Sequence, residues 1–407
     1  MTSKEYEKSL NNAFSRFRKE NSSELINGSK FFEQIGSTLL EDIPYKNQLA
    51  VKESVLKDLL KENTPKEVIE NAKIIASPLQ THYRFKAEFV TSFNPKFEPF
   101  NRFGQRKKGN FNWVVDLDEY ILIEPEVFKK VRQVYDFAIS LELNGYDLRQ
   151  NTGDLRYLTI KSYKNASMLI ITSANNDQRF EKVIDFAKNL GFDSVYWLLN
   201  NTKHDSFEGD IIKFVGQEYI NIPIKVNSAE FKFSVGPFTF FQNNIYCFEV
   251  LLEYLDKFIT DNNFKDYALY DLYSGVGLFG IIFARYFDFV KSIDIVQESI
   301  VMGNKIKEIN NIMNIDFEAR DIKDMHFTPV NKSIVIVDPP RNGLEQKGIE
   351  NILEIKPEYL IYVSCNAVTF NNDLVELNKL YSVIDLAFFD TFPQTYHVEC
   401  LCIMKRN

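Results

Sequence analysis

The chain has 407 residues, more than one ordinary domain holds, so two or three domains are expected. Its 45% hydrophobic and 26% charged content belongs to a globular chain, not a disordered or fibrous one. A net charge of −8 and a pI near 5.3 exclude a globally basic, nucleic-acid-coating protein, though not a local basic face.

The start, "MTSKEYEKSLNNAFSRFRKE", has no apolar core, so no signal peptide is expected. Residues 1–30 read as a charged helix and a polar break, and "YKNQLAVKESVLKDLLKE" (45–62) carries leucines and valine at helical spacing. Residues 1–80 are therefore taken as a helical N-terminal region. From 81 to 235 alternating strand text dominates, as in "KAEFVTSF", "RYLTIKSY", "SMLIITS", "SVYWLLNN" and "IIKFVGQEYI", with a helix "FEKVIDFAKNLGF" ending at a glycine. This predicts an α+β domain with much antiparallel sheet. "HYRFKAEF" (82–89) and "NRFGQRKKGNF" (101–111) alternate cations with aromatics; Arg106, Lys107 and Lys108 are candidate phosphate contacts, against the plainer reading of a solvated strand edge and basic turn.

The text changes at about 236. Helix "NNIYCFEVLLEYLDKFI" precedes strand "YALYDLYSG", and strands "KSIDIV", "IDFEARD", "SIVIVDPP" and "YLIYVSC" then alternate with helices before a final pair, "YSVIDLAFFDTF" and "HVECLCIMK". Alternation of this kind predicts an α/β, doubly wound parallel sheet over 236–407. The most apolar stretch, "ALYDLYSGVGLFGIIFARYFDFV", is broken by Asp271, Ser274, three glycines and Arg285, so it is strand, loop and helix and not a membrane span.

Gly275, Gly277 and Gly280 form GxGxxG between a strand and a helix, where backbone without Cβ lets a nucleotide approach. Asp294 closes the next strand about 20 residues on, as suits a carboxylate holding ribose hydroxyls. An NAD(P)-dependent dehydrogenase and an S-adenosylmethionine enzyme both fit this far. Asp271, ahead of the glycines, suits a cationic, amino-acid-bearing cofactor, and Asp321 can accept from an adenine amino group. Downstream, Asp338 and Arg341 in "VDPPRNGL", Cys365 in "YVSCNAVTF" and Glu399 in "FPQTYHVEC" all fall at strand ends, which defines one crevice. Arg341 suits a phosphate or carbonyl contact. His397 reads as a hydrogen-bonded structural residue. Cys247, Cys400 and Cys402 read as core, with no metal site, and four cysteines without framework spacing suit a reducing, cytoplasmic setting.

These segments, with "FTFFQNN" (238–244) and "DLYSGVGLFG", resemble the RNA uracil-C5 methyltransferases that make 5-methyluridine in tRNA and 23S rRNA. The resemblance implies a Rossmann-like methyltransferase domain over 236–407, an RNA-binding central domain, S-adenosylmethionine as cofactor, an RNA partner, no membrane and a monomer. It implies Cys365 as nucleophile, Glu399 as base, Gln242 near cofactor and uracil, Asp338 orienting the reacting groups, and Tyr273 and Asp294 at the cofactor. Many members carry a four-cysteine iron–sulfur motif ahead of text like "LLEDIPYKNQL"; "SKFFEQIGSTLLEDIPYKNQL" (29–49) has no cysteine, so no cluster is expected. The same text leans toward ribosomal RNA, while the lack of an OB-fold counterpart keeps tRNA uridine-54 open. A cytosine-C5 RNA methyltransferase would also use a cysteine, but SCN followed by HVE is the uracil pattern.

Overall fold

The computed structural model describes residues 1–324 and 332–407. Helix α1 (Ser3–Glu20) starts with a capping box: the Thr2 hydroxyl accepts from Glu5 N–H while the Glu5 carboxylate accepts from Thr2 N–H. Helices α2 (Tyr45–Leu60) and α3 (Lys66–Asn71) and a two-residue strand β1 (Ile74–Ile75) follow.

The central part holds β2 (Lys86–Phe93), β3 (Asn101–Lys107), β4 (Asn110–Asp116), α4 (Pro125–Ser140), β5 (Leu155–Tyr163), β6 (Ala166–Ser173), α5 (Arg179–Asn189), β7 (Ser194–Leu199) and β8 (Asp210–Gly216). They form a seven-stranded sheet in the order β4-β3-β2-β5-β6-β7-β8, antiparallel except for β6 and β7, which α5 joins. The segment 82–89, read from sequence as an edge, feeds an interior strand instead: Phe85, Ala87 and Phe89 are buried. The 101–111 segment does form an edge hairpin, with Lys107 and Lys108 exposed at its turn. "IIKFVGQEYI" is not one strand. Gly216 takes φ 93°, where a Cβ would lie 2.1 Å from the Asp193 carbonyl oxygen, and the chain leaves the sheet there.

A hairpin of β9 (Ile220–Val226) and β10 (Ala229–Val235) leads to α6 (Ile245–Asn262) and then β11 (Ala268–Leu272), α7 (Leu278–Phe283), β12 (Phe289–Asp294), α8 (Gln297–Ile309), β13 (Ile315–Ala319), β14 (Ser333–Val337), α9 (Glu345–Ile355), β15 (Tyr359–Ser364), α10 (Ala367–Leu377), β16 (Tyr381–Phe389) and β17 (Glu399–Arg406). The second large sheet has eight strands in the order β1-β16-β17-β15-β14-β11-β12-β13. It is parallel apart from β17, which runs antiparallel between β15 and β16. This is a Rossmann-like methyltransferase sheet, and its strand order reverses between β11 and β14, the place where such sheets bind ligands.

Two apolar cores cover the two faces of this sheet. On one side Leu56, Leu59 and Ile69 from α2 and α3 pack with α9 and α10, so the N-terminal helices form part of this layer and β1 extends its edge. On the other, α6 and the β9–β10 hairpin share a continuous core with Phe85, Tyr157 and Tyr163 of the central sheet. Helices α4 and α5 cover the opposite face of the central sheet. No helix among the described residues is long and apolar enough to cross a membrane.

Candidate active site

The glycine loop is built for close approach. Gly275 has φ 53° and a Cβ there would meet nothing within 4 Å, so its outer face is open. Gly277 has φ 80°, and a Cβ would strike the Phe317 ring at 2.5 Å. At Gly280 a Cβ would fall 2.3 Å from Ser292 Oγ, so α7 lies directly on β12. Asp294 fixes the loop by accepting from Gly275 N–H (2.8 Å) and Val296 N–H (2.9 Å). Asp271 accepts from Gly280 N–H (2.9 Å) and Ser292 Oγ (3.3 Å). Its burial, only partly offset by those bonds, pushes its pKa up to about 7. Three buried polar atoms at this strand end have no partner among the described residues: Asp271 Oδ1, Tyr273 Oη and Ser274 Oγ. Asp321 follows β13 and accepts from Lys323 N–H. The structure thus brings Tyr273, Gly275, Gly277 and Asp294 to one strand-end loop and its neighbour.

The other candidate residues come from four separate elements. In "FTFFQNN", Asn244 caps α6 by accepting from Cys247 N–H (3.0 Å), and the Asn243 carbonyl accepts from Phe85 N–H (2.7 Å) at the start of β2. Gln242, fixed between these anchors and the loop before it, donates to Asp338 Oδ2 at 3.4 Å. Beyond β14, the Asp338–Leu344 loop is tied down from α10: Asp373 accepts from Leu344 N–H (2.9 Å), and Asn366 Nδ2 and Thr369 Oγ1 donate to the Arg341 carbonyl (2.9 and 3.2 Å). Arg341 itself is exposed.

Cys365 and Glu399 meet because β17 is antiparallel. Ser364 of β15 pairs with Cys400 of β17, so the next register step sets Cys365 opposite Glu399. A parallel strand would have started at the other rim. Burial, together with the Glu399 and Asp338 carboxylates, pushes the Cys365 thiol up to about 12, with Arg341 acting the other way. Asp338 is pushed up to about 7 by burial, opposed by the Gln242 hydrogen bond. Glu399, buried beside Asp338, is held well above the usual carboxylate range. All three shifts run against ionisation, and a positive charge brought into the crevice would oppose them.

His397 departs from the sequence reading. Its ring makes no hydrogen bond among the described residues, stands edge-on to Phe392 at 6.0 Å, and the residue is exposed; only its backbone N–H is bonded, to Thr395 Oγ1. Surrounding protein, then the charges of Arg341, Lys52 and Arg84, push its pKa down to about 4, so the ring is neutral at pH 7. Cys247, Cys400 and Cys402 are buried, and among the described residues no cluster of three His, Cys, Asp or Glu could hold a metal. Arg106 is not free: it pairs with Asp205 at 2.6 Å and caps the Phe111 ring at 3.9 Å, whereas Lys107 and Lys108 extend into solvent. Sequence reasoning missed Asn244, Asn366 and Asp373. "NN" before an apolar helix and "SCNAVTF" at a strand-to-helix step were readable N-cap signals.

A family model described as tRNA (uracil-5-)-methyltransferase matches residues 44–407. A Pyrococcus furiosus tRNA (uracil(54)-C(5))-methyltransferase is 30% identical over 93% of this chain and 84% of its own. A protein of Caldanaerobacter subterraneus subsp. tengcongensis, described as an uncharacterized RNA methyltransferase, is 30% identical over 92% of this chain and 84% of its own. The crystal structure of the Pyrococcus abyssi tRNA (uracil-54, C5)-methyltransferase in complex with S-adenosyl-L-homocysteine superposes with a TM-score of 0.73, at 26% identity, over 90% of this chain and 84% of that one. With a site of this geometry on a sheet of this order, and a match that spans nearly the whole sequence, the chain belongs to the tRNA (uracil-5-)-methyltransferase family.

Proposed function

We propose that the chain methylates C5 of a uridine in structured RNA, with S-adenosylmethionine as donor, Cys365 as nucleophile and Glu399 as base. The observation that carries this is the cross-strand placement of Cys365 and Glu399 at the rim that also holds Asp338 and Gln242. Family membership sets the dehydrogenase reading aside. The open face of Gly275, the fixed Asp294 and the partnerless Tyr273 Oη and Asp271 Oδ1 fit an amino-acid-bearing nucleoside. When bound, that cofactor supplies an electrophilic methyl group and a positive sulfonium charge.

Positive charge in this crevice favours the ionised forms of Cys365, Asp338 and Glu399 together. Cys365 Sγ adds to uracil C6, and the C5–C6 π electrons move onto O4 as an enolate, for which Arg341 is the candidate cation. C5, carrying that electron pair, would then accept the donor's methyl carbon as its bond to the sulfonium sulfur breaks, the pair returning to sulfur in S-adenosylhomocysteine. Glu399 removes the C5 proton, the C5–C6 double bond re-forms, and the C6–Sγ bond breaks to release Cys365. Asp338, held by Gln242, orients the reacting ring.

Two relatives bear tRNA uracil-54 names, so tRNA is the first substrate to test and 23S rRNA the second. Both RNAs, taken from cells lacking 5-methyluridine, are incubated with enzyme and cofactor and digested for nucleoside mass spectrometry. One of them should gain 5-methyluridine. Cys365→Ala should lose activity by about a thousandfold or more while unfolding within about 1 kcal/mol of wild type. Methylated cytidine as product, or undiminished activity of Cys365→Ala, would refute the reading.

A further inference from the structure

The central domain has a cavity of its own, about 510 Å3, none of whose lining residues belongs to the catalytic crevice. Its walls set cations against rings. Arg102, only 5% exposed, lies 4.3 Å from the Trp113 ring centroid and donates to the Phe97 carbonyl at 3.0 Å. Among the described residues no carboxylate pairs with it; nearby Asp116 is paired with Arg132 at 3.0 Å. Arg156, 2% exposed, stacks over Tyr146 at 4.4 Å and donates to the carbonyls of Asn200, Thr202 and His204 at 2.7, 2.6 and 2.7 Å, while its Nε is buried without a partner. Carbonyl oxygens hold a guanidinium but do not cancel its charge, so two buried arginines leave a positive floor. The lining carboxylates are outnumbered: Asp205 is paired with Arg106, and Asp147, which keeps its charge while accepting from the N–H groups of Arg149 and Gln150, faces Lys96, Arg102, Arg149 and Arg156 in the same lining.

The mouth suits a base. Phe97 is 51% exposed and meets Trp113 edge-on at 5.5 Å, which leaves aromatic surface open beside the cations. Aromatic faces with arginine planes are how proteins take unstacked bases, and a mononucleotide fits a cavity of this size. Arg106 and Tyr157 also border a second cavity of about 660 Å3, which passes Lys86, Lys161 and Phe240 to Phe241 and Asn243, the neighbours of Gln242. Sharing Arg106 and Tyr157, the two cavities run on toward Gln242, the second lined by Arg84, Lys86 and Lys161 beside the carboxylates of Glu88, which pairs with Lys86 at 2.7 Å, and Glu208.

We propose that the Trp113 cavity takes a second, unpaired nucleotide of the substrate RNA, its base against Trp113 and Phe97 and its phosphate toward Arg102 and Arg149. The inference rests on the RNA-methylation reading above and extends it: the enzyme holds one unstacked nucleotide besides the target uridine.

The two tryptophans make the test direct. Trp197 is 2% exposed, so quenching by RNA reports on Trp113. Full-length protein is titrated with unmodified tRNA transcript and with 23S rRNA fragment. The RNA that is methylated should quench wild-type fluorescence, and Trp113→Phe should remove that response. Phe97→Ala, which alters a half-exposed loop residue, should raise both the Kd for RNA and KM about tenfold with kcat unchanged. A wild type that methylates RNA without quenching, or a Phe97→Ala variant with unaltered Kd and KM, overturns the assignment. Quenching without methylation supports the cavity and refutes the catalytic reading; neither signal refutes both.

Discussion

Asp338 and Glu399 share one crevice, where burial and the Asp338 carboxylate make Glu399 harder to ionise. Asp338, pushed up to about 7, keeps its proton in the folded chain well above the value near 3.9 of an unfolded aspartate. The sign follows from proton counting: between those values the native state binds more protons, so stability present below about pH 4 is lost as pH rises through about 7. Asn has no proton to lose. In urea titrations at pH 5 and pH 8, Asp338→Asn should therefore lose less stability across that interval than wild type, and an equal loss would mean that Asp338 is not protonated in the fold. Candidate residues were legible in sequence where chemistry groups them. Cys365, Glu399 and Asp338 stood out because a thiol, a carboxylate and a strand-end aspartate make sense together. The ion pair of Arg106 was not legible, since Asp205 lies 99 residues away and nothing local marks it.

At the scale of elements, the glycine loop shows how one missing methyl sets a packing distance. A Cβ at Gly280 would press on Ser292 Oγ and reach Asp271 Oδ2 at 3.1 Å, so α7 would have to lift off β12. Gly280→Ala should cost about 1–3 kcal/mol of stability, read from urea midpoints, and should weaken S-adenosylhomocysteine binding in calorimetry. A variant with unchanged midpoint and affinity would show that α7 tolerates the shift. Alternating strand and helix text located this series to within a few residues, because buried parallel strands and their helices differ so plainly in period. Direction was another matter. Period-2 text is the same read either way, so the antiparallel insertion of β17, on which the meeting of Cys365 and Glu399 depends, had no signature in "HVECLCIMK".

Across the whole molecule, the N-terminal region braces the segment that leads into Glu399. Lys52 of α2 pairs with Asp390 at 2.6 Å with both side chains fully buried, Gln48 donates to Gln394 at 2.8 Å, and the Gln394 carbonyl accepts from Leu39 and Leu40 N–H. From the central domain, Tyr83 Oη donates to the Pro393 carbonyl at 3.0 Å. Within a net charge of −8, the buried Arg156 keeps an unpaired charge because carbonyls rather than carboxylates hold it. The proposed roles of Cys365 as nucleophile and Glu399 as base make one direct prediction. Glu399→Gln keeps the size and hydrogen-bonding reach of the side chain but cannot take a proton. The variant, mixed with substrate RNA and cofactor carrying a labelled methyl group, is run on a denaturing gel, and the protein-linked band is digested for peptide mass spectrometry. The account expects a covalent complex in which the labelled methyl group sits on uracil and uracil is bonded to Cys365. Ordinary turnover by Glu399→Gln, with no such band, would contradict it.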